Sequence, residues 1–146
     1  MAFRFDQLTN KSQEAVQHAQ SLAKERSHQR LEPMHLLAAL VNPEQQVVRS
    51  LLTQLGVNPA QILKAAEEGL GALPKVSGGE TTMSPDLNQV FETSSAEAER
   101  MKDQYVSVEH LLLALLKVKS RAQTLLDALG IGEKEVLAAL QKIRGG

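Results

Sequence analysis

Two histidines are the first residues in this chain whose type and spacing could support chemistry. His35 and His110 lie 75 positions apart, and each is followed by two leucines. Two imidazoles could share a metal ion, but protein zinc sites take about three or four protein ligands. Glu109 alone does not complete such a set. We therefore predict no metal site, and we expect each histidine to pack or hydrogen-bond within its own helical turn.

No arrangement of residues predicts catalysis. The serines and histidines lack the sequence context of an activated nucleophile, and the carboxylates show no paired arrangement. The phosphate-binding pattern Gly-x-x-x-x-Gly-Lys-[Ser/Thr] is also missing, since the nearest segment, residues 130–134, lacks both the spacing and the hydroxyl. We predict that the chain is not an enzyme and has no catalytic residue or cofactor.

Three polar residues are candidates for binding a partner. Thr9 is a good N-cap for the first helix, and Glu109 lies in a first helical turn, where negative charge is favourable. Asp103 is predicted near the C-terminal end of a long helix, where the helix dipole disfavours an acid. Asp103 therefore either forms an Asx-type turn or has a function, and both alternatives stay open. The remaining mixed charges of residues 97–103 predict a solvated helix face.

Proline and capping signals predict about eight helices. Four prolines follow residues that suit a helix start, and proline at the first helical position sacrifices no useful N–H. Gly56 and Gly130 follow leucine-rich runs and predict helix ends. The predicted helices span 10–26, 33–41, 44–55, 59–70, 85–103, 108–117, 120–129 and 133–143. A β-sheet is not expected, because the chain has no long β-branched run.

An internal repeat is the strongest signal of organisation. The segment 35–40 matches 110–115 at an offset of 75, and 51–57 matches 125–131 at an offset of 74. The repeat predicts an all-α fold of two pseudo-symmetric four-helix copies, at about 5–70 and 84–144, with a Gly-rich linker at about 71–83. Because each copy is marginal for independent folding, we expect one compact domain over residues 1–146.

Val90 and Phe91 are the apolar candidates for partner binding. Phe91 is the repeat equivalent of Val16. If both copies bury equivalent faces, Phe91 belongs to the core. The alternative is that the second copy exposes a narrow apolar groove that binds unfolded segments.

Charge and composition exclude other functional classes. The formal net charge is -1 with acids and bases interspersed, so no basic stripe is available for nucleic acid. No apolar run approaches the roughly 18 residues of a membrane span. The chain has no cysteine, which is compatible with a reducing cytoplasm. The final residues, 144–146, predict a flexible exit from the domain.

The ordered set of motifs resembles the Clp N-terminal repeat domain, most closely that of the ClpB-type AAA+ disaggregases. It consists of the repeated [Glu/Met]-His-Leu-Leu-x-Ala-Leu segments, the Leu-Leu-x-x-Leu-Gly-[Val/Ile] segments, Leu-Pro-Lys-Val at 73–76 and the end at 144–146. The resemblance covers essentially the whole chain. It implies a mobile, cytoplasmic head domain on a hexameric machine that threads aggregated proteins through its pore with the Hsp70 system. ATP and magnesium would bind only in modules that this fragment lacks.

The resemblance also implies what the candidate residues do. Thr9, Asp103 and Glu109 would lie on a client-handling surface, and Val90 and Phe91 would line the apolar groove. The isolated domain, expected to be monomeric, would bind unfolded or aggregated proteins weakly. An alternative is an adaptor-docking module of a Clp protease unfoldase or a stand-alone accessory protein. Met34, which occupies the Glu109 position of the first copy, argues against a two-site reader of phosphorylated arginine.

Overall fold

The chain folds into eight α-helices within residues 3–145, the part that the computed structural model describes. The helices are α1 (Asn10–Glu25), α2 (Pro33–Leu40), α3 (Gln46–Gln54), α4 (Pro59–Gly71), α5 (Pro85–Arg100), α6 (Val108–Lys117), α7 (Arg121–Ala128) and α8 (Glu133–Gly145). A 3-10 helix at Phe5–Gln7 and two short strands, β1 (Arg30–Leu31) and β2 (Thr82–Met83), complete the described elements. The predicted all-α fold of two four-helix copies is confirmed.

Most helix starts follow from local capping chemistry. Asn58 Oδ1 accepts a hydrogen bond from the Ala60 N–H at 3.0 Å, and Ser84 Oγ accepts one from the Leu87 N–H at 3.1 Å. The predicted start at Pro43 is wrong, because α3 begins only at Gln46. Asn42 there accepts from the Glu44 N–H and forms an Asx turn instead of an N-cap.

The two repeated histidine-leucine segments form the centre of the domain. All eight residues of α2 are buried, and α6 is buried at every position except Glu109 and Lys117. α2 contacts α1, α4, α5, α6 and α7. A helix that is apolar on all sides needs neighbours on all sides, and the amphipathic helices of both copies supply them. The two copies therefore share one core.

Two short parallel pairings join the copies and correct the expectation that no sheet forms. Leu31 pairs with Met83 within the β1–β2 ladder, and Leu8 pairs with Val106 in an isolated bridge. Met83 lies 75 positions after Leu8, and Val106 lies 75 after Leu31. In each pairing, the segment before one copy's first helix bonds to the segment after the other copy's first helix. The copies are thus interlocked by a pseudo-two-fold arrangement.

Two further expectations about charged segments require correction. Glu97 is buried, not solvated, and its Oε2 contacts Arg100 Nη1 at 2.6 Å and Lys117 Nζ at 2.9 Å. The pairing of this carboxylate with two cations offsets the cost of its burial. The sequence predicts a flexible exit at residues 144–146, but this expectation is wrong at Arg144, which is still part of helix α8. Gly146 lies outside the described residues.

Within residues 3–145, no helix combines the length and the apolar character that crossing a membrane requires. Within the same residues, no three or more histidine, aspartate or glutamate side chains lie together so that they could hold a metal ion.

Candidate functional site

The connection from the first to the second helix of each copy forms a corner with the same backbone. We call residues 27–35 the first corner and residues 102–110 the second corner. Ser27 has φ 57° and Lys102, 75 positions later, has φ 60°. The N–H of the next residue then caps the preceding helix in the same way in both copies. His28 N–H donates to Ala23 O, and Asp103 N–H donates to Ala98 O, both at 2.9 Å. This left-handed residue turns the chain and directs the next side chain toward the helix that follows.

His35 and His110 make equivalent bonds through Nδ1. The Glu32 N–H donates to His35 Nδ1, and the Ser107 N–H donates to His110 Nδ1, both at 2.9 Å. Each histidine thereby satisfies the backbone at the start of its helix, which confirms local hydrogen bonding as its role. Because Nδ1 accepts, the proton of the neutral ring must lie on Nε2.

The Nε2 atoms meet different partners in the two corners. His35 Nε2 lies 2.8 Å from His28 Nδ1, whereas His110 Nε2 lies 2.8 Å from Asp103 Oδ2. His28 and Asp103 are repeat equivalents. The first corner thus holds a neutral imidazole pair, and the second holds an imidazole bonded to a carboxylate.

The histidine pair of the first corner is held neutral by its surroundings. Both rings are buried. Burial and, to a smaller extent, the neighbouring His28 together lower the pKa of His35 from 6.5 to about 4. Burial also lowers the pKa of His28, with the charges of Arg26 and Lys75 acting in the same direction. A hydrogen bond with the Leu70 backbone partly opposes this effect.

Asp103 in the second corner is partly exposed and meets a cation from α8. Its Oδ2 lies 2.9 Å from Arg144 Nη1, and Arg144 Nη2 lies 3.4 Å from Glu109 Oε2. Partial desolvation raises the pKa of Asp103, but bonds from Arg144 and His110 outweigh it and lower the pKa overall. The guanidinium therefore bridges two carboxylates, which we call the acidic pair (Asp103 and Glu109).

At two of the three positions of this ionic cluster, the first copy has an apolar residue. Met34 occupies the Glu109 position, and Leu70, at the 74-residue offset of the fourth helices, occupies the Arg144 position. Leu70 is fully buried, and Met34 is only 8% exposed. The end of α4 is therefore closed by apolar packing, and the end of α8 by ion pairs at the surface.

Thr9 lies beside the second corner because of the bridge between the copies. Its N–H donates to Val106 O at 2.9 Å, and Val106 is three residues from Asp103 and from Glu109. The Thr9 hydroxyl accepts from the Ser12 N–H at 3.2 Å, which confirms its predicted capping role. The bridge thus connects the backbone of Thr9 to the corner that carries Asp103 and Glu109.

Val90 and Phe91 lie beneath the surface. They are 0% and 1% exposed, in agreement with the core alternative for Phe91. Phe3 stacks on the Phe91 ring with centroids 5.2 Å apart, and Phe5 packs edge-on at the same distance. The N-terminal aromatic rings cover Phe91, and Phe5 is the exposed member of the cluster at 43%.

Two residues of the site were missed by the sequence analysis. His28 precedes His35 by seven positions, as Asp103 precedes His110, so extending the repeat alignment would have found it. Arg144 carries no such signal, because its repeat equivalent is a leucine. Only the packing of α8 brings its guanidinium to the acidic pair.

Comparisons with known proteins agree on the family. A model of the Clp repeat (R) N-terminal domain matches residues 7–129. The chain is 39% identical over 142 residues to the chaperone protein ClpB of Bacteroides thetaiotaomicron, which covers 97% of this chain and 16% of that protein. It is 41% identical over 145 residues to ClpB of Vibrio cholerae, with 98% and 17% covered. This chain thus spans about a sixth of the length of these relatives.

Solved structures show the same fold. The Hsp104 N-terminal domain from Candida albicans matches with a TM-score of 0.83 and 23% identity, over 94% of this chain and 91% of that chain. The N-domain of ClpV from Vibrio cholerae matches with a TM-score of 0.79 and 21% identity, over 94% and 85%. The family match, the ClpB identities and the shared fold together place this chain in the Clp repeat N-terminal domain family, with ClpB chaperones among its relatives.

Proposed function

We propose that this domain recognises clients for a ClpB-type disaggregase, weakly binding unfolded or aggregated proteins and delivering them to the AAA+ pore. The observation that carries the proposal is the acidic pair beside Thr9. Two partly exposed carboxylates there converge on one guanidinium, Arg144. A surface that holds one guanidinium in this way suits arginine and lysine side chains of a client.

The position of the acidic pair supports a binding role. Asp103 is held by His110, whose ring is fully buried and fixed by the Ser107 N–H. The carboxylate is therefore oriented before a client arrives, which reduces the ordering cost of binding. Tyr105, between the two acids in sequence, is 55% exposed and adds an aromatic face to the same surface.

The apolar part of a client would contact the aromatic cluster at the N-terminus. Phe5 presents the exposed ring, Phe91 packs against it, and Val90 is the buried neighbour of Phe91 in α5. We propose that Val90 and Phe91 act in this supporting position, and contact a client directly only when Phe3 is displaced. The surface thus offers an ionic region around Asp103 and a separate apolar region around Phe5.

The wider assembly is proposed from the ClpB relatives. A hexameric, cytoplasmic parent would carry ATP and magnesium in other modules and act with the Hsp70 system, while the isolated domain would be a monomer that hydrolyses nothing. Weak binding suits delivery, because a tightly held client would resist threading, and six copies raise the effective concentration. We also propose the repeat boundaries 5–70 and 84–144, with the linker at 71–83.

An NMR titration of the ¹⁵N-labelled domain with a permanently unfolded, reduced and alkylated protein tests client binding. We expect amide shifts around Thr9, Asp103 and Glu109, and weaker binding by a factor of about three or more in D103N/E109Q, as for loss of exposed ion pairs. The variant D127N/E68Q makes the same charge change at exposed positions elsewhere and should bind like the parent. Unchanged spectra around all three residues would remove the proposal.

Docking of one defined peptide is the second candidate function. It is favoured by the ClpV N-domain complex with a VipB peptide, whose domain has the same fold with a TM-score of 0.75 and 19% identity. An adaptor-docking module predicts one partner that co-elutes in a fixed stoichiometry and binds tightly. Binding of many unrelated unfolded chains at similar, low affinity argues against it.

A further inference from the structure

The end of helix α8 is attached to the domain by a single charged side chain. Arg144 Nη1 lies 2.9 Å from Asp103 Oδ2, and Nη2 lies 3.4 Å from Glu109 Oε2. The three side chains are 37%, 29% and 16% exposed, respectively. Water and salt therefore reach the contact, which keeps its net strength low.

The equivalent end of helix α4 is attached in a different way. Both helices have thirteen residues and correspond at the 74-residue offset. Ile62 and Val136 match, as do Ala66 and Leu140, and all four are buried. The match ends at the last turn, where α4 has the buried Leu70 and α8 has Arg144. The end of α4 is thus held by buried apolar packing, whereas the end of α8 is held by partly exposed ion pairs that another cation can replace.

We propose that Arg144 is an intramolecular competitor for the acidic pair, and that a basic client side chain displaces it and releases the last turn of α8. This inference rests on the proposed client-binding function and adds its regulation. The cluster of Asp103, Glu109 and Arg144 has a net charge of -1 when Arg144 is seated. When Arg144 leaves, the two remaining carboxylates present a charge of -2 to an incoming cation.

The acidic pair stays in place when the arginine leaves. Asp103 keeps its bond to His110 Nε2 at 2.8 Å, and His110 keeps its bond to the Ser107 N–H. The remainder of α8 also stays packed, because Val136, Ala139 and Leu140 are buried. Displacement therefore moves only the end of one helix, and the binding site remains formed.

Binding of a Gly/Ser-rich peptide that contains several arginines, compared with the same peptide carrying glutamine instead, tests the proposal. The affinity of R144A for the arginine peptide should exceed that of the parent roughly three- to fivefold, as expected when one exposed ion pair no longer competes. K142A removes the same charge from an exposed position of the same helix and should change the affinity less than about twofold. In the parent, saturating peptide should lower the ¹⁵N heteronuclear NOE of residues 143–145 and leave residues 68–70 unchanged.

The outcomes separate this proposal from the one on which it rests. Equal or weaker binding by R144A, or α8 amides that stay rigid in the bound parent, overturns the competition and leaves client binding intact. Binding of the arginine peptide by neither protein, or binding that D103N/E109Q does not reduce, overturns the client-binding function itself. Cooperative thermal melting of R144A and K142A well above the assay temperature shows that both comparisons are made on folded protein.

Discussion

In the first corner, His28 and His35 share a buried hydrogen bond, and His28 also bonds the backbone of Leu70. In the second corner, Asp103 and His110 share a bond of the same length, but Asp103 also bonds the charged Arg144. The backbone is the same in both, including the left-handed residue at 27 and at 102. The difference shows that a duplicated unit can keep one backbone and yet surround it with a buried neutral pair in one copy and a partly exposed ionic cluster in the other. The buried, neutral histidine pair offers no charge at the surface, whereas the second corner offers the two carboxylates of the acidic pair.

The largest expected difference concerns the residues that close the fourth helices. Leu70→Ala should reduce the free energy of unfolding by about 2–5 kcal/mol, because it leaves a cavity in a fully buried site. Arg144→Ala should cost no more than about 1 kcal/mol, since its ion pairs are exposed to solvent. Urea denaturation of both variants measures the contrast. Similar costs for the two would contradict the division into an apolar and an ionic closure.

The histidine pair should make the first corner sensitive to acid. The pKa of His35 falls from 6.5 to about 4 on folding, so between these values the unfolded chain binds more protons than the folded one. The stabilising contribution of neutral His35 is complete above pH 6.5 and is lost as the pH falls toward 4. The loss is at most about 3 kcal/mol by linkage, and the lowered pKa of His28 acts in the same direction.

Urea midpoints at pH 7 and pH 5 measure this loss. His28→Asp gives His35 the partner that His110 has and should make the midpoint depend less on pH. His18→Gln removes a histidine outside both corners and should keep the dependence of the parent. ¹H–¹³C spectra of the imidazoles give a second measurement, in which His35 should not titrate between pH 7 and 5. A His35 ring that titrates near 6.5 would contradict the prediction.

The smallest effects are expected where the two corners are alike. Ser27 and Lys102 have positive φ and exposed side chains, so glycine at either position relieves the steric cost of that conformation. Ser27→Gly and Lys102→Gly should each stabilise the domain by about 0.5–1 kcal/mol. Thermal melting of the two variants checks that the gains are equal. Destabilisation by either one would show that its side chain contributes an interaction beyond the turn.

Much of the fold was predictable because it depends on local chemistry. The caps at Asn58 and Ser84, with proline in the next position, gave correct helix starts. The start at Pro43 failed because Asn42 can bond the backbone in an Asx turn as readily as in a cap. The strand pairings between the copies were missed, since each involves only one or two residues and depends on contacts distant in sequence.

The candidate site was predictable in part. The sequence predicts Thr9, Asp103 and Glu109 as candidates, and the bridge between Leu8 and Val106 connects the segment of Thr9 to the corner that carries the two acids. The charge pattern around Glu97 predicts a solvated surface, but the Glu97 carboxylate is buried against Lys117. Charge patterns along one helix do not reveal a partner that another helix supplies.

The two-copy helical architecture follows from the amino-acid sequence, because the repeat can be seen by alignment and the caps that start its helices act within a few residues. The sequence also determined that the copies differ at Met34 and Glu109. Only the tertiary structure decided that His28 and Asp103 bond the repeated histidines and that Arg144 reaches the acidic pair. The physical reason is that these interactions depend on how separate elements pack, and a side chain at the end of α8 finds its partners only when the core of both copies has formed.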